Sequence, residues 1–170
     1  ALALGAVTAA MPAMDDVSLP LRSRNNALLR MAHAQIGAAC DAAIARFGAQ
    51  RVAVIVGTST SGIAEAEQAM PAQLAQGQWP PDFHYAQQEI GAPSRFLAQI
   101  SGARGPAWTL STACSSSAKA LASAARLLQA GIVDAVIAGA GDLAGAEATL
   151  RALPRPVIGH IASDALWLDL

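Results

Sequence analysis

Thr112-Ala113-Cys114-Ser115-Ser116-Ser117 joins two stretches of opposite character, with a thiol at the joint. Upstream, Ala107-Trp108-Thr109-Leu110-Ser111-Thr112 has the β-branched and aromatic content of a strand, and Gly105-Pro106 marks the turn before it. Downstream, Leu121, Ala124, Ala125 and Leu128 recur at the spacing of one helix face, and Gly131 falls where a helix C′ residue belongs. Cys114 is thereby predicted at a helix N-terminus. Unpaired backbone N–H groups and the positive end of the helix dipole favour anionic sulfur there, and the same donors can hold a developing oxyanion. The competing reading is that free cysteine is among the most buried residue types and often only packs. The sequence of strand, cysteine and helix favours the nucleophile.

Upstream of this junction, Leu28, Leu29, Ala32, Ile36, Ala39, Ala43 and Ile44 return at helical spacing, which predicts a core-facing helix from Asn26 to Phe47 with Asn25 as N-cap and Gly48 as stop. Arg51-Val52-Ala53-Val54-Ile55-Val56-Gly57 is a nearly continuous apolar run, suited to a strand buried on both faces. A further helix begins near Ile63, and Gly77-Gln78-Trp79-Pro80-Pro81-Asp82 breaks it as a surface loop. Short helices follow around Phe83 to Glu89 and Pro93 to Ile100. Asp134 to Ala138 reads as another buried strand, and Glu147 to Leu153 as part of a helix. Strands alternating with helices specify an α/β fold, without an internal repeat or an interdomain linker. Alanine lies around most of the circumference of the helix after Cys114, which predicts a helix buried on all sides.

At 170 residues and 54% apolar content the chain suits one well-buried domain. A net charge of −1 without any basic run excludes the electrostatic footprint of a nucleic-acid binder. No apolar run has spanning length, and the Ala-rich opening has no basic region before it. Neither a membrane helix nor a secretory signal is therefore expected, and the cytoplasm is the expected compartment. Cys40 and Cys114 lack C-x-x-C spacing, which argues against a zinc site and a disulfide framework. Because the sequence opens on Ala1 rather than Met, it reads as a segment, a processed chain or the ordered part of a longer one.

Two glycine motifs point elsewhere and fail on chemistry. Gly57 to Gly62 has the glycine spacing of a phosphate loop, but Ile63 and Ala64 replace the Lys and Ser/Thr that engage phosphate and magnesium. Gly139-Ala140-Gly141-Asp142-Leu143-Ala144 fits a dinucleotide fingerprint but falls late in the chain rather than in a first βαβ unit. No cofactor and no metal are expected.

Leu110 to Leu128, LSTACSSSAKALASAARLL, resembles the nucleophile segment of the β-ketoacyl-acyl carrier protein synthases, which have the thiolase fold. The resemblance extends back through Arg104-Gly105-Pro106, Arg95-Phe96 and Gly57-Thr58-Ser59-Thr60-Ser61-Gly62-Ile63 to Arg22-Ser23-Arg24-Asn25-Asn26. It extends forward through Asp134 to Asp142. Separated blocks in one order are far harder to obtain by chance than one short motif. The resemblance implies a thiolase-like layered α-β-α-β-α architecture. Residues 1–153 would form the nucleophile-bearing N-terminal half and residues 154–170 a remnant of the C-terminal half.

In that family the cysteine accepts an acyl group from acyl carrier protein, and malonyl carrier protein then decarboxylates to an enolate that attacks it. Cys114 takes the nucleophile's place, with its backbone N–H as an oxyanion donor. The family also needs two histidines and a lysine from its second half. Gly159-His160 is similar to the motif that carries the second of those histidines, although Ser163 stands where glycine is usual; the alternative is an ordinary histidine in an apolar segment. His33 and His84 match no family motif and read as structural. Lys119 and Arg126 read as solvated or ion-paired, and Lys119 does not stand at the family's lysine position.

The resemblance implies an acyltransferase of fatty-acid or polyketide elongation whose partners are acyl carrier protein and acyl or malonyl thioesters. A homodimer or a heterodimer with another ketosynthase is expected, through strands next to the nucleophile segment. The alternative is a non-catalytic subunit that shapes a partner's acyl tunnel, as chain-length factors do. Cys114 counts against it and the shortness of the second half counts for it.

Overall fold

The computed structural model describes residues 9–139, 158–162 and 165–169. Its axis is strand β1 (Val52–Gly57), in which Val52 to Val56 are all at most 5% exposed. Strands β2 (Ala107–Leu110) and β3 (Ala135–Gly139) flank it in the order β2-β1-β3, both parallel to it. Parallel neighbours cannot be joined by a tight hairpin, so the chain crosses over through helices. Helices α2 (Ile63–Gln76) and α3 (Ala92–Ser101) lie between β1 and β2, and α4 (Ser116–Gln129) lies between β2 and β3, while α1 (Arg24–Phe47) precedes β1. A separate antiparallel pair is formed by β4 (Ile158–Ala162) and β5 (Ala165–Asp169).

Successive strand residues face opposite sides, and β1 is apolar on both. Val52, Val54 and Val56 pack with Cys40, Leu97, Ala103 and Ile137, beneath Leu29, Ile36, Ala43 and Ile44 of α1. Ile55 faces the other way, against Ala120 and Ala124 of α4 with Trp108, Leu110 and Val136 around them. The layers are therefore α1 and α3, then sheet, then α4. Arg51 locks the start of this sheet: its guanidinium grips the Asp134 carboxylate at 2.6 and 2.9 Å and donates to the carbonyls of Gly131 and Ile132. That hydrogen-bonded cation holds the Asp134 carboxyl below its ordinary range.

Several expectations change in detail. The cap of α1 is Ser23, whose Oγ accepts from Asn26 N–H at 3.1 Å, while Asn25 already lies inside the helix. The helix expected around Phe83 to Glu89 is a 3-10 turn at Tyr85–Gln88. Helix α4 is not buried on all sides but along Ser116, Ala120, Leu121, Ala124 and Ala125, because among the described residues only the sheet packs against it. Lys119 and Arg126 are exposed, as solvated cations should be. Strand β3 is half-buried, with Ile137 its buried residue. The helix expected at Glu147 to Leu153, together with Gly141 and Asp142, lies outside the described residues.

Candidate active site

In a parallel sheet, every strand delivers its C-terminal end to the same edge, where binding crevices form. Here that edge gathers two stretches that are distant in sequence. The loop after β1, from Gly57 to Gly62, runs beside the end of β2, since Thr58 N–H donates to the Leu110 carbonyl at 3.1 Å. Immediately beyond Leu110 the chain turns sharply into α4, and Cys114 lies in that turn, exposed to solvent.

The turn depends on Ala113, the non-glycine residue with positive φ (53°) among the described residues. A left-handed alanine brings Cβ close to the following carbonyl oxygen, so it needs external support. Ser116 supplies it. Buried at 3% exposure, its Oγ accepts from Thr112 N–H at 2.8 Å and donates to the Ala113 carbonyl at 2.7 Å. Ser115 adds a second lacing, its Oγ donating to the Thr112 carbonyl at 2.8 Å and lying 3.1 Å from Thr112 Oγ1. Backbone N–H groups of Ser115 and Ser116 bond back to Thr112 and Ala113 at 3.3 and 3.1 Å. Helix α4 begins at Ser116, so Cys114 precedes the N-cap Ser115 and stands ahead of the helix N-terminus.

Gly57 sets the level at which this first turn sits. A Cβ there would lie 2.5 Å from the Ser116 carbonyl oxygen and 2.7 Å from Ser117 Cα, closer than any side chain tolerates. The same side of β2 that faces α4 carries Leu110, while Thr109 on the other side is held to α3 by an Oγ1 bond to Ser94 Oγ at 3.0 Å. The end of β2 is thus fixed from both layers.

The loop carrying Thr58 to Gly62 is anchored by a buried polar seam. Gln87, 2% exposed, accepts at its carbonyl from Ser61 Oγ at 3.2 Å and Gly62 N–H at 3.0 Å, while its side-chain amide donates to the Arg22 carbonyl and accepts from His84 N–H. His84 closes this turn by accepting from Ala86 N–H at its Nδ1, a structural role. His33 lies on α1, on the other side of the sheet from α4. It lines an open cleft of about 430 Å³ with Asp16, Arg30 and Gln99. Burial pushes its imidazole pKa down. None of the residues lining that cleft belongs to the turn that carries Cys114.

His160 is placed on β4, in register with Trp167 of β5. The turn that carries Cys114 is laced by Thr112, Ser115 and Ser116. Among the described residues no group of three or more His, Cys, Asp or Glu could hold a metal ion, and no helix is long and apolar enough to cross a membrane. The roles of Gly57, Ser116 and Gln87 were not anticipated. The glycine-rich and serine-rich composition of 57–62 and 115–117 is the signal that the sequence offers for them, and it carries no information on which atoms meet.

Residues 27–156 match the family model described as the N-terminal domain of β-ketoacyl synthase. No curated protein matches the chain. Among solved structures, the chain is similar to one from the complex of the ketosynthase ApeO with its chain length factor ApeC from Xenorhabdus doucetiae, at 50% identity and a TM-score of 0.71. The match covers 78% of this chain and 34% of that one, so the chain spans about a third of the length of its structural relative. The helix and parallel-sheet architecture is that of the thiolase-like ketosynthase fold.

Proposed function

We propose, from the premise that the chain belongs to the β-ketoacyl synthase family through its N-terminal domain, that it carries the acyl-accepting half of a decarboxylative Claisen condensation. The observation that carries this reading is the exposed thiol of Cys114 on a braced turn ahead of α4, at the C-terminal edge of a parallel sheet. Cys114 Sγ attacks the carbonyl carbon of an acyl carrier protein thioester, and the electron pair moves onto the carbonyl oxygen, close to the Cys114 backbone N–H. Collapse expels the carrier sulfur, which takes up the proton that Cys114 gave up on attacking, and leaves the acyl group on Cys114. Malonyl carrier protein then loses carbon dioxide, its enolate carbon attacks the acyl carbon, and the Cys114 sulfur leaves.

Such a chain acts in the cytoplasm on fatty-acid or polyketide intermediates, as a homodimer or heterodimer. Strand β2 lies at an edge of the three-stranded sheet next to the nucleophile turn, which suits pairing with a partner chain. Residues 1–153 correspond to the nucleophile-bearing half and 154–170 to a remnant of the other, where His160 is the candidate second catalytic histidine. A second reading, a chain-length-factor-like subunit that shapes a partner's tunnel, is favoured by the composition of the structural relative's complex, which is a ketosynthase with its chain length factor.

Intact-mass measurement after incubation with acyl carrier protein or acyl-CoA thioester, alone and with a ketosynthase partner, separates the two. An acyl adduct that disappears in Cys114→Ala supports the enzyme. A chain that stays unlabelled beside a labelled partner supports the scaffold.

A further inference from the structure

We propose that Ser116 is a positioning residue, whose hydroxyl holds Ala113 in its left-handed conformation and thereby sets where the Cys114 sulfur points. The inference rests on the reading of Cys114 as the acyl acceptor, and it adds how the acceptor is aimed. Alanine at φ 53° is sterically unfavourable, and turns of this kind ordinarily recruit glycine or asparagine. Here an alanine occupies the position, so neighbouring contacts must hold it there.

Ser116 Oγ bonds to both flanks of the strained residue. It accepts from the N–H of Thr112, one residue before Ala113, at 2.8 Å, and donates to the carbonyl of Ala113 itself at 2.7 Å. One hydroxyl therefore bridges the Ser111–Thr112 peptide on one side of the left-handed residue and the Ala113–Cys114 peptide on the other, and it is 3% exposed, so water does not compete for it. Its own backbone cannot drift: the Ser116 carbonyl lies against Gly57 so closely that no Cβ fits between. The clamp is thus anchored to the central strand of the sheet. Ser115, by contrast, is exposed to competing water, and its hydroxyl holds one side alone, at the Thr112 carbonyl and hydroxyl, without spanning Ala113. The geometry assigns the bracing of Ala113 to Ser116.

The test uses the full chain and two probes, iodoacetamide for the thiol and octanoyl-CoA for acyl transfer, each followed by mass at Cys114. Ser116→Ala is expected to slow octanoyl transfer by about tenfold to a hundredfold, the scale of an ångström-level misplacement of a reacting group. The decisive variant is Ala113→Gly combined with Ser116→Ala. Glycine takes positive φ without support, so it restores most of the lost rate if bracing residue 113 is what Ser116 does. Ser116→Thr, which keeps the hydroxyl, is expected to stay near the parent rate.

A folded Ser116→Ala that reacts at the parent rate overturns the proposal, as does a slowed Ser116→Ala that glycine at 113 does not recover. Should Ser116→Ala fail to fold, the double variant decides: a folded, reactive protein supports the clamp and an unfolded one overturns it. If octanoyl transfer is absent even in the parent chain, the acyl-acceptor reading falls, while the iodoacetamide rates of the same variants still decide the role of Ser116.

Discussion

The two cysteines occupy opposite layers of one sheet and have opposite surroundings. Cys40 lies in the middle of α1, 5% exposed, packed with Val52, Val54, Val56 and Leu97. Burial pushes its thiol up, with the Asp41 carboxylate adding to the shift. Cys114 lies at the open edge, on a turn where the strand has ended and the helix has not begun. The same side chain is thus packing material in one place and an accessible sulfur in the other. What separates them is backbone geometry: a regular helix turns its residue into the core, and a left-handed residue at Ala113 turns the next one out.

The largest effect tests that contrast directly. Iodoacetamide applied to the native chain is expected to label Cys114 at least about a hundredfold faster than Cys40, because a core thiol reacts only through local opening. In denaturant the difference should collapse to within a few-fold. Peptide mapping reads both sites in one sample, and comparable native rates would break the contrast.

Next in size, Leu97→Ala is expected to remove about 3 kcal/mol of stability through the cavity it leaves beside Cys40. Leu97 is 3% exposed and belongs to the same cluster. Denaturant unfolding measures the loss, and Cys40 labelling should rise while Cys114 labelling stays constant. A parallel rise at Cys114 would mean that the two layers open together.

Much of this arrangement was legible from residues alone, and the reason differs by element. The run Val52 to Val56, apolar throughout and mostly β-branched, suits a strand with two dry faces, and α1 and α4 announced themselves by apolar spacing and by Gly48 and Gly131 at their ends. Cys114 stood out because a strand pattern meets a helix pattern on it. The bracing was not legible. Gly57 looks like part of a glycine motif, and only the fold shows that α4 lies on it. Ser116 is one of three consecutive serines, which local pattern cannot tell apart, and the partners of Gln87 lie 65 residues upstream at Arg22 and 26 upstream at Ser61. Periodicity encodes which face is buried, not which atoms meet across the fold. The missing contacts are of that second kind.

Ala113→Gly alone gives a smaller effect of the opposite sign. Removing the Cβ relieves the left-handed clash, worth roughly 1–2 kcal/mol, while the more flexible unfolded chain returns part of it, leaving a gain of about 1 kcal/mol or less. Thermal unfolding reads the gain, and a loss would mean that Ala113 is not strained in solution.

The smallest effect belongs to the Cys40 side and depends on pH. His33 shares α1 with Cys40, and desolvation of its half-buried ring lowers its pKa, opposed by the Asp41 carboxylate. Arg30 and Asp16 line the same cleft but are bound to each other at 2.8 Å, so their charges largely cancel at the ring. Above pH 6.5, the ordinary value, the imidazole is neutral in both folded and unfolded chains and contributes no slope. As pH falls below that value the unfolded chain takes up the proton first, so folding loses stability until the folded-state pKa is passed. His33→Gln removes this titration without removing the hydrogen-bonding capacity of the position. The variant's unfolding temperature should therefore rise relative to the parent between pH 7.5 and 5.5. An unchanged difference would show that the ring reaches water as freely as the exposed cysteine does, and the shielding ascribed to the α1 layer would stop short of its outer turn.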